Sequence, residues 1–381
     1  MSSWQGKFVI GLTGNIATGK SVVRKMLEHA GAFGIDADAL SHRAIQSDAP
    51  GFQPVVDTFG KYILKENGEI DRKKLGLIVF SDPTALRTLE SIVHPLVRQA
   101  VDHLVRKSKH RVIVIEAIKL LESPLRATCD VIWVVTATEE TQVARLSKKR
   151  GLKPEEARRR MAAQGPQAEK VAAATTVIEN SGSIEETWEQ VKRAWKKLFP
   201  KAAGETVPAR LRPPQSSDAL GLQVLRARPR QAAELAKFMH ATNGADPPDH
   251  AQIISAFGDK AFLLLQGNDG LKALLGWKVE NLVARVDDIR LIPGLPLEGH
   301  LSFLIKEVEE ASKELQCEIA LIFVDPQMAA RRDLWQRLGY EERLPHELTV
   351  AAWQEAAQES QREGTVMLFK QLRADRVLRP I

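Results

Sequence analysis

Eight residues near the start of the chain constrain its fold more than any other feature of the sequence. They are Gly14-Asn15-Ile16-Ala17-Thr18-Gly19-Lys20-Ser21, and they satisfy the pattern Gly-x-x-x-x-Gly-Lys-Ser/Thr in full. The apolar run Phe8–Leu12 predicts a strand before this segment, and Lys20–Ala30 predicts a helix after it because its apolar residues share one face. A strand, a glycine-containing loop and a helix in this order are typical of a parallel α/β sheet with an anion site at the helix N-terminus.

The residue types in this loop suit the binding of a nucleoside triphosphate. Glycines allow backbone N–H groups to curl around phosphate oxygens without a Cβ in the way. Lys20 can reach the β- and γ-phosphates, and the Ser21 hydroxyl can bind Mg²⁺. We therefore predict that the loop from Gly14 to Ser21 binds ATP, with Mg²⁺ as the metal. A chance glycine-rich turn is the alternative, and the strand and helix in register argue against it.

The length and residue pattern of the chain predict two domains. A chain of 381 residues is longer than a domain built around a single hydrophobic core usually is. Residues 1–203 alternate strand-length apolar runs with amphipathic stretches, which predicts an α/β domain with a parallel sheet. Its further predicted strands are Ala32–Asp36, Arg111–Ile115 and Val131–Val135. Residues 204–219 have the proline- and serine-rich composition of a linker, and residues 220–381 form a second, α+β domain.

Two acidic residues, Asp36 and Asp38, follow the second predicted strand. Residues two apart in an extended segment point to the same side, so both carboxylates could face one site. The carboxyl ends of parallel strands lie at one edge of the sheet, which places this pair near the loop. One carboxylate near Mg²⁺ and one that accepts the proton of an attacking hydroxyl would suit phosphoryl transfer. The alternative is that Asp36 or Asp38 caps a helix over Ala39–Ile45.

A cluster of basic residues follows the fourth predicted strand. Arg145, Lys148 and Lys149 share a helical face, and Arg150 precedes a glycine at which a mobile lid could pivot. Arg158–Arg160 are consecutive, and successive helical residues diverge by about 100°, so the three cannot all contact the same phosphates. We predict a basic lid in which Arg150 stabilises the transferring phosphoryl group. Whether Arg158–Arg160 bind ligand or face solvent is left open.

In their order and spacing these motifs resemble the dephospho-coenzyme A kinase family, over roughly Lys7 to Phe199. The matching segments are Ile10-Gly11-Leu12-Thr13-Gly14, Ile35-Asp36-Ala37-Asp38 with Leu40 and His42, Ile92-Val93-His94-Pro95-Leu96-Val97-Arg98, Arg145 to Gly151 with Arg160-Met161-Ala162-Ala163-Gln164, and Val177-Ile178-Glu179-Asn180-Ser181-Gly182. The resemblance implies transfer of the ATP γ-phosphoryl group to the ribose 3′-hydroxyl of dephospho-CoA.

The resemblance also implies roles for particular residues. Asp38 would be the base that accepts the 3′-hydroxyl proton, and Lys20 and Ser21 would contact phosphate and metal. Arg150 would contact phosphate from the lid, and Asn180 would lie beside the adenine of ATP. The residues assigned to substrate binding are Asp36, His94, Pro95 and Arg145. Without the other motifs, His94 before a proline would be interpreted as a packed or capping histidine.

Two departures from the family pattern affect the predicted site. Asn15 stands where the family usually has a second glycine, which stiffens the loop and leaves its pattern intact. The family's Asp-x-Pro-Leu-Leu-x-Glu segment is here Glu116-Ala117-Ile118-Lys119-Leu120-Leu121-Glu122. The Asp→Glu and Pro→Ile changes bear on the shape of the acceptor pocket rather than on the reaction. Lys119 could approach the substrate or point outward.

The second domain resembles, more weakly, the GCN5-related acetyltransferases. Its predicted strands are Leu222–Arg228, Lys260–Gln266, Leu271–Glu280, Val283–Leu291 and Glu318–Val324, and its predicted helices are Arg230–Thr242, Leu301–Leu315 and Ala329–Leu338. The segment Arg331–Tyr340 is similar to that family's late helix-and-strand motif. However, Pro293–Leu301 lacks the glycine spacing of a pyrophosphate loop, Glu298 would repel a pyrophosphate, and Trp335 stands where a tyrosine general acid is common. We therefore predict a non-catalytic domain that binds acyl-CoA or a protein partner or is purely structural.

The remaining features concern functional class and location. A net charge of +6 is modest for this length and does not imply a nucleic-acid partner. Cys129 and Cys317 lie far apart in apolar stretches, and the early apolar run is too short for a signal peptide. We therefore expect free thiols and a cytoplasmic protein with no membrane partner. A kinase for another small nucleotide, a nucleotide-dependent switch and a bifunctional kinase-acetyltransferase are the alternative functions.

Overall fold

Two sheets organise the chain. The structure is a computed structural model and describes residues 4–200, 221–243, 248–280 and 282–373. The predicted linker, residues 204–219, lies outside these ranges, as do the side chains of Lys149 and Arg150. We call the elements from β1 to α9 the N-terminal unit and those from β6 to β12 the C-terminal unit.

The N-terminal unit is built on five parallel strands in the order β2-β3-β1-β4-β5. Their bounds are β1 Phe8–Thr13, β2 Phe33–Asp36, β3 Val112–Glu116, β4 Val131–Thr136 and β5 Thr176–Glu179. The parallel α/β class and the first four predicted strands are confirmed, whereas β5 was not predicted. In the sheet register Glu116 lies opposite both Leu12 and Asp36. The carboxyl ends of β1, β2 and β3 therefore meet at one edge.

Helices cover both faces of this sheet. They are α1 Lys20–His29, α2 Ala37–Arg43, α3 Phe52–Phe59, α4 Arg72–Ser81, α5 Pro83–Lys107, α6 Glu139–Arg150, α7 Pro154–Ala162, α8 Gln167–Ala172 and α9 Ile184–Leu198. On one face Ile10 and Trp133 pack with residues of α1 and α9, and on the other Val9 and Ile113 pack with α2 to α5. Strands buried on both faces require continuous apolar runs, which is why the sequence predicted them well.

The C-terminal unit has a mixed seven-stranded sheet in the order β11-β12-β10-β9-β8-β7-β6. Its strands are β6 Gln223–Arg226, β7 Ala261–Gly267, β8 Gly270–Glu280, β9 Val283–Leu291, β10 Ile319–Val324, β11 Glu341–Glu342 and β12 Val366–Gln371. Only the β9–β10 pair is parallel among the described strand pairs of this sheet. The predicted α+β class is confirmed, and β11 and β12 were not predicted.

The helices of the C-terminal unit differ from prediction at one place. They are α10 Ala232–Asn243, α11 His250–Phe257, α12 Leu297–Glu314, α13 Pro326–Ala329, α14 Arg332–Leu338 and α15 Ala351–Ser360. The prediction of one helix over Ala329–Leu338 is wrong, because Arg331 has a non-helical backbone (φ −79°, ψ 58°) and separates α13 from α14. Neither α11 nor α15 was predicted.

Two further expectations concern cysteines and membranes. Cys129 and Cys317 are both free thiols, and Cys317 is buried while Cys129 is half-buried. Across the described ranges, no helix combines the length and apolar character needed to cross a bilayer.

Candidate active site

The loop between β1 and α1 adopts a conformation that depends on glycine at both ends. Gly14 has a φ of 147° and Gly19 a φ of 93°, in the region that residues with a Cβ rarely adopt. A Cβ on Gly14 would collide with the carbonyl oxygen of Val135, and one on Gly19 with the side chain of Asn180. Ala17 between them also has a positive φ, 59°, which is strained for a residue other than glycine.

The segment after α7 lies directly over this loop. The backbone N–H of Ile16 donates to Gln164 Oε1 at 2.6 Å, and Asn15 Nδ2 donates to the carbonyl oxygen of Gly165 at 3.3 Å. Lys20 Nζ donates to the carbonyl oxygen of Asn15 at 3.2 Å. The side-chain amide oxygen of Gln164 thus lies where a phosphate oxygen would bind in a loop of this type. The arrangement brings the predicted lid region into contact with the predicted ATP site.

Arg145 and Asn180 hold the outer side of the loop. Arg145 Nη1 donates to the carbonyl oxygens of Ala17 at 3.1 Å and Thr18 at 3.2 Å, and its Nη2 donates to the carbonyl oxygen of Asn180 at 2.7 Å. Asn180 Nδ2 also donates to the carbonyl oxygen of Thr18, at 2.7 Å. The structure therefore places both predicted site residues against the loop backbone.

Asp36 and Asp38 do not continue an extended segment, so that prediction is wrong. Asp36 is the N-cap of α2, and its Oδ1 accepts the N–H of Ala39 at 2.8 Å. The cap starts the helix at Ala37, one residue before Asp38. Asp38 lies in the first turn of α2, and its Oδ2 accepts the backbone N–H of Ile118 at 2.9 Å. The capping alternative is therefore the one observed for Asp36.

The surroundings of these carboxylates change their acidity. Burial raises the pKa of Asp38 above its ordinary value, while the Ile118 N–H and the charge of Lys20 oppose that rise. Burial and the nearby charge of Glu116 raise the pKa of Asp36, against the effect of Arg24. The carboxylates of Asp36, Asp38 and Glu116 are therefore close enough to affect one another's charge, and positively charged side chains lie beside them.

Lys170 is a site residue that the sequence analysis missed. It lies in α8, is buried, and its Nζ donates to the carbonyl oxygen of Ile118 at 3.0 Å. Its charge, like that of Lys20, is close enough to lower the pKa of Asp38. Burial in turn lowers the pKa of Lys170, with Glu122 acting in the opposite direction. The sequence around it is charged and gives no signal that this lysine turns inward.

Glu116 was noted only as a departure from the family segment, yet it is a central residue of the site. It ends β3, and its Oε1 accepts the Ser21 hydroxyl at 2.9 Å. Its Oε2 accepts Arg24 Nε at 2.7 Å. An apolar strand that ends in an acid beside such a loop is a signal for this role. The oxygens of Ser21 and Glu116 are the hard donors that Mg²⁺ prefers.

The described residues hold no group of three or more His, Cys, Asp or Glu side chains arranged to bind a metal alone. Ser21 and Glu116 are neighbouring oxygen donors, and Mg²⁺ is ordinarily bound by one or two protein groups together with substrate phosphates.

Other predicted residues make no hydrogen bond to this cluster within the described ranges. His94 and Pro95 are in the middle of α5, and none of the hydrogen bonds found among the described residues joins either to the loop. Lys119 points outward, with its Nζ 3.2 Å from Glu90 Oε1.

The paired arginines of α7 also face solvent. Arg158 pairs with Glu139 at 2.9 Å and Arg160 with Glu156 at 2.7 Å, and all four side chains are exposed. Arg158 and Arg160 therefore face solvent in this structure, and the hydrogen bonds found for them within the described ranges do not reach the loop. The side chain of Arg150 lies outside the part of the chain that the structure describes.

Comparisons with known proteins agree with this site. A family model described as "Dephospho-CoA kinase" matches residues 8–186. A protein named dephospho-CoA kinase from Symbiobacterium thermophilum is 42% identical over 200 residues, covering 52% of this chain and 84% of its own length. One of the same name from Geobacter sulfurreducens is 42% identical over 195 residues, covering 50% of this chain and 99% of its own.

A solved structure matches the C-terminal part of the chain. It is the ribosomal-protein-S18-alanine N-acetyltransferase from Escherichia coli, at 15% identity and a TM-score of 0.31, covering 41% of this chain and 96% of its own. The kinase relatives, by contrast, are matched along most of their length at high identity. The residues that the family model matches include the loop, both aspartates, Glu116, Lys170 and Asn180. The chain therefore belongs to the dephospho-CoA kinase family.

Proposed function

We propose that this protein transfers the γ-phosphoryl group of ATP to the ribose 3′-hydroxyl of dephospho-CoA, forming CoA and ADP. The observation that carries the proposal is the bond from the Ile118 N–H to Asp38 Oδ2 at 2.9 Å. It holds a carboxylate beside the loop, close enough to Lys20 for the two charges to interact. A fixed carboxylate next to a phosphate loop serves a reaction in which a hydroxyl attacks a phosphoryl group.

In this mechanism Asp38 accepts the proton of the 3′-hydroxyl as that oxygen attacks the γ-phosphorus. The bond between the γ-phosphorus and the β–γ bridging oxygen breaks, and ADP leaves. Because burial raises the pKa of Asp38, its carboxylate accepts a proton more readily than an exposed one. The Ile118 N–H and the charges of Lys20 and Lys170 oppose that rise in the pKa of Asp38.

The loop binds the triphosphate through its backbone N–H groups and Lys20. The phosphate oxygens replace Gln164 Oε1 at the N–H of Ile16, so nucleotide binding is expected to move the segment after α7. Arg145 keeps the loop carbonyls turned away from the phosphates through its bonds to Ala17 and Thr18. The assignments of Asn180 to adenine, Arg150 to the transferring phosphoryl group, and Asp36, His94, Pro95 and Arg145 to substrate binding stay predictions.

Ser21 and Glu116 are the residues that would hold Mg²⁺. When bound, Mg²⁺ neutralises charge on the β- and γ-phosphates. Glu116 orients the Ser21 hydroxyl through a 2.9 Å bond, and Arg24 fixes the other carboxylate oxygen at 2.7 Å. Because the Ser21 hydroxyl donates its hydrogen to Glu116, the lone pairs of its oxygen would remain available to the metal.

A coupled assay of ADP release tests the proposal. The full chain is assayed with MgATP alone, with dephospho-CoA, and with a panel of small nucleosides and nucleotides. We expect ADP release that depends on dephospho-CoA and yields CoA in equal amount. Equal turnover with another nucleotide acceptor would favour the alternative kinase. Nucleotide binding without turnover on any acceptor would favour a nucleotide switch.

For the C-terminal unit we propose a role other than acetyl transfer. The helix that would bind a pyrophosphate, α12, begins at Leu297 after Pro296. Glu298 lies in its first turn and pairs with Arg337 of α14. A negative charge at this position opposes the binding of an anion. Titration of acetyl-CoA into the full chain should reveal no second equivalent bound beyond the kinase site, and no acetyl transfer to amines.

The cytoplasmic location and the absence of a nucleic-acid partner stay predictions from the sequence. Binding of an acyl-CoA by the C-terminal unit is the alternative that a second bound equivalent in this titration would favour, and binding of a protein partner likewise stays a prediction from the sequence.

A further inference from the structure

We propose that the C-terminal unit positions the base of the kinase by holding the far end of the helix that carries it. The helix is α2, which has Asp38 in its first turn and ends at Arg43. Arg43 projects into the C-terminal unit and pairs there with Glu318. The inference rests on the proposed function for the role of Asp38, and it assigns Arg43 and Glu318 as positioning residues.

The Arg43–Glu318 pair is deeply buried. Arg43 Nη2 lies 2.8 Å from Glu318 Oε2, and the side chains are 4% and 0% exposed. The same oxygen accepts Trp353 Nε1 at 3.1 Å. Removing one partner of such a pair leaves an uncompensated charge in the interior, which is strongly unfavourable. The pair is therefore expected to hold α2 in one place.

Glu318 itself is fixed by the backbone around it. It precedes β10, and its N–H donates to the carbonyl oxygen of Leu282 at 2.7 Å. Its carbonyl oxygen accepts the N–H of Leu372 at 2.8 Å, at the end of β12. The acidic partner of Arg43 is thus anchored among three strands of the second sheet rather than on a loop.

The C-terminal unit also holds α1, the helix that follows the phosphate loop. Lys25 Nζ donates to the carbonyl oxygen of Val279 at 2.9 Å, and His29 Nε2 lies 3.3 Å from the carbonyl oxygen of Phe257. Leu282 is buried in the apolar cluster of the N-terminal unit. The C-terminal unit therefore contacts α2 at its last residue and α1 from its middle to its last residue, while the N-terminal ends of both helices form the site.

The geometry links this contact to catalysis. Arg43 follows Asp38 by five residues, or about 7.5 Å along a helix axis. A shift of α2 would move Asp38 relative to the Ile118 N–H, which is 2.9 Å from its carboxylate. Misplacement of a catalytic group by about 1 Å can cost about 10²-fold in rate. A contact in the second sheet therefore acts on the position of the base.

A second arginine–glutamate pair between the units provides a matched control. Arg72 of α4 lies 3.2 Å from Glu355 of α15, and the side chains are 44% and 54% exposed. Exposed pairs of this kind contribute little to stability, and α4 carries no residue of the proposed mechanism. Loss of this pair should leave α2 in place.

The test compares Glu318→Gln, Arg43→Met and Arg43→Lys with Glu355→Gln, all in the full chain. Two measurements are made: hydrogen exchange of the backbone amides in residues 37–45, and kcat and KM with active enzyme counted by titration. We expect faster exchange and a kcat lowered by about tenfold or more in Arg43→Met, with the Kd for ATP within about threefold of wild type. Glu318→Gln should change in the same direction, Arg43→Lys should recover part of the loss, and Glu355→Gln should match wild type.

The outcomes separate this inference from the proposed function. Wild-type exchange and kcat in both Glu318→Gln and Arg43→Met would overturn the inference. A merely structural role would lower the count of active enzyme while leaving kcat per active site unchanged, and would also overturn it. If Arg43→Met does not fold, Glu318→Gln decides the question, because it keeps the side-chain shape and removes only the charge. If the wild-type chain releases no ADP with dephospho-CoA, the proposed function fails, while the exchange measurement still decides whether the C-terminal unit holds α2.

Discussion

Asp38 and Ile118 are joined by a hydrogen bond of 2.9 Å from the Ile118 backbone N–H to the carboxylate. The carbonyl oxygen of Ile118 accepts Lys170 Nζ at 3.0 Å and the Thr13 hydroxyl at 3.0 Å. Ile118, the second residue after β3, therefore connects the proposed base, a lysine of α8 and the end of β1. It also stands where the resembled family has a proline, which has no N–H to donate.

Asp38→Asn should abolish turnover and spare nucleotide binding. The asparagine carbonyl can still accept the Ile118 N–H, so the position of the side chain is kept while its basicity is lost. We expect kcat to fall by about 10²–10⁴-fold, the usual contribution of a general base. Single-turnover assays and a fluorescent ATP analogue measure the two effects. A near-normal rate would remove Asp38 from the mechanism.

Lys170→Met should move the acid limb of the pH–rate profile. Activity requires ionised Asp38, whose pKa already lies above its ordinary value because of burial, and the positive charge of Lys170 lowers that pKa. Removing the charge raises the pKa of Asp38, so kcat/KM should begin to fall at a higher pH than in wild type. Lys119→Met, at the outward-facing lysine that pairs with Glu90, is the control. An unchanged acid limb would contradict the electrostatic effect of Lys170 on the base.

Glu116→Gln should weaken the response to Mg²⁺. The amide still accepts the Ser21 hydroxyl but lacks the negative charge that attracts the metal. We expect the Mg²⁺ concentration for half-maximal activity to rise by about tenfold, with saturating Mg²⁺ restoring part of the rate. Direct titration with Mn²⁺, followed by its paramagnetic signal with ATP present, gives a readout independent of turnover. Glu90→Gln should behave like wild type.

Arg150→Ala should lower kcat far more than the KM for ATP. An arginine that stabilises the transferring phosphoryl group can contribute about 10³–10⁵-fold in rate, and its loss acts on the transition state. Arg158→Ala is the matched control, because Arg158 pairs with Glu139 at an exposed position. A change in kcat below about threefold would make Arg150 an ordinary surface residue.

The sequence predicted those parts of the fold and site that depend on local pattern. The Gly14–Ser21 loop has a motif because its backbone geometry requires glycine at two positions. Strands β1 to β4 were predicted because burial on both faces requires unbroken apolar runs. The short strand β5 has only one buried residue, Ile178, so its pattern is weak.

Contacts between distant parts of the chain were not predictable in this way. Arg43 and Glu318 are 275 residues apart, and each alone has the pattern of a surface charge. Lys170 reaches the site because of where α8 lies, not because of its neighbours in sequence. Asp36 and Asp38 were correctly placed at the sheet edge, but a capping hydrogen bond changed the geometry from extended to helical.

The junction between the units should lose stability as the pH falls below neutrality, and His29 is the group expected to cause part of that loss. Burial and the charge of Arg226 lower the pKa of His29 from 6.5 to about 3. Between pH 6.5 and about pH 3, His29 binds a proton in the unfolded chain but not in the folded chain. The stabilisation of the folded state by neutral His29 is therefore complete above pH 6.5 and declines as the pH falls toward 3. The decline in the free energy of unfolding from this one group should reach at most about 1.4 kcal/mol per pH unit. In His29→Gln, whose amide can donate to the Phe257 carbonyl, denaturant unfolding measured from pH 7.5 to 4.5 should show a smaller dependence on pH. Equal slopes in His29→Gln and wild type would mean that His29 takes up its proton in the folded state.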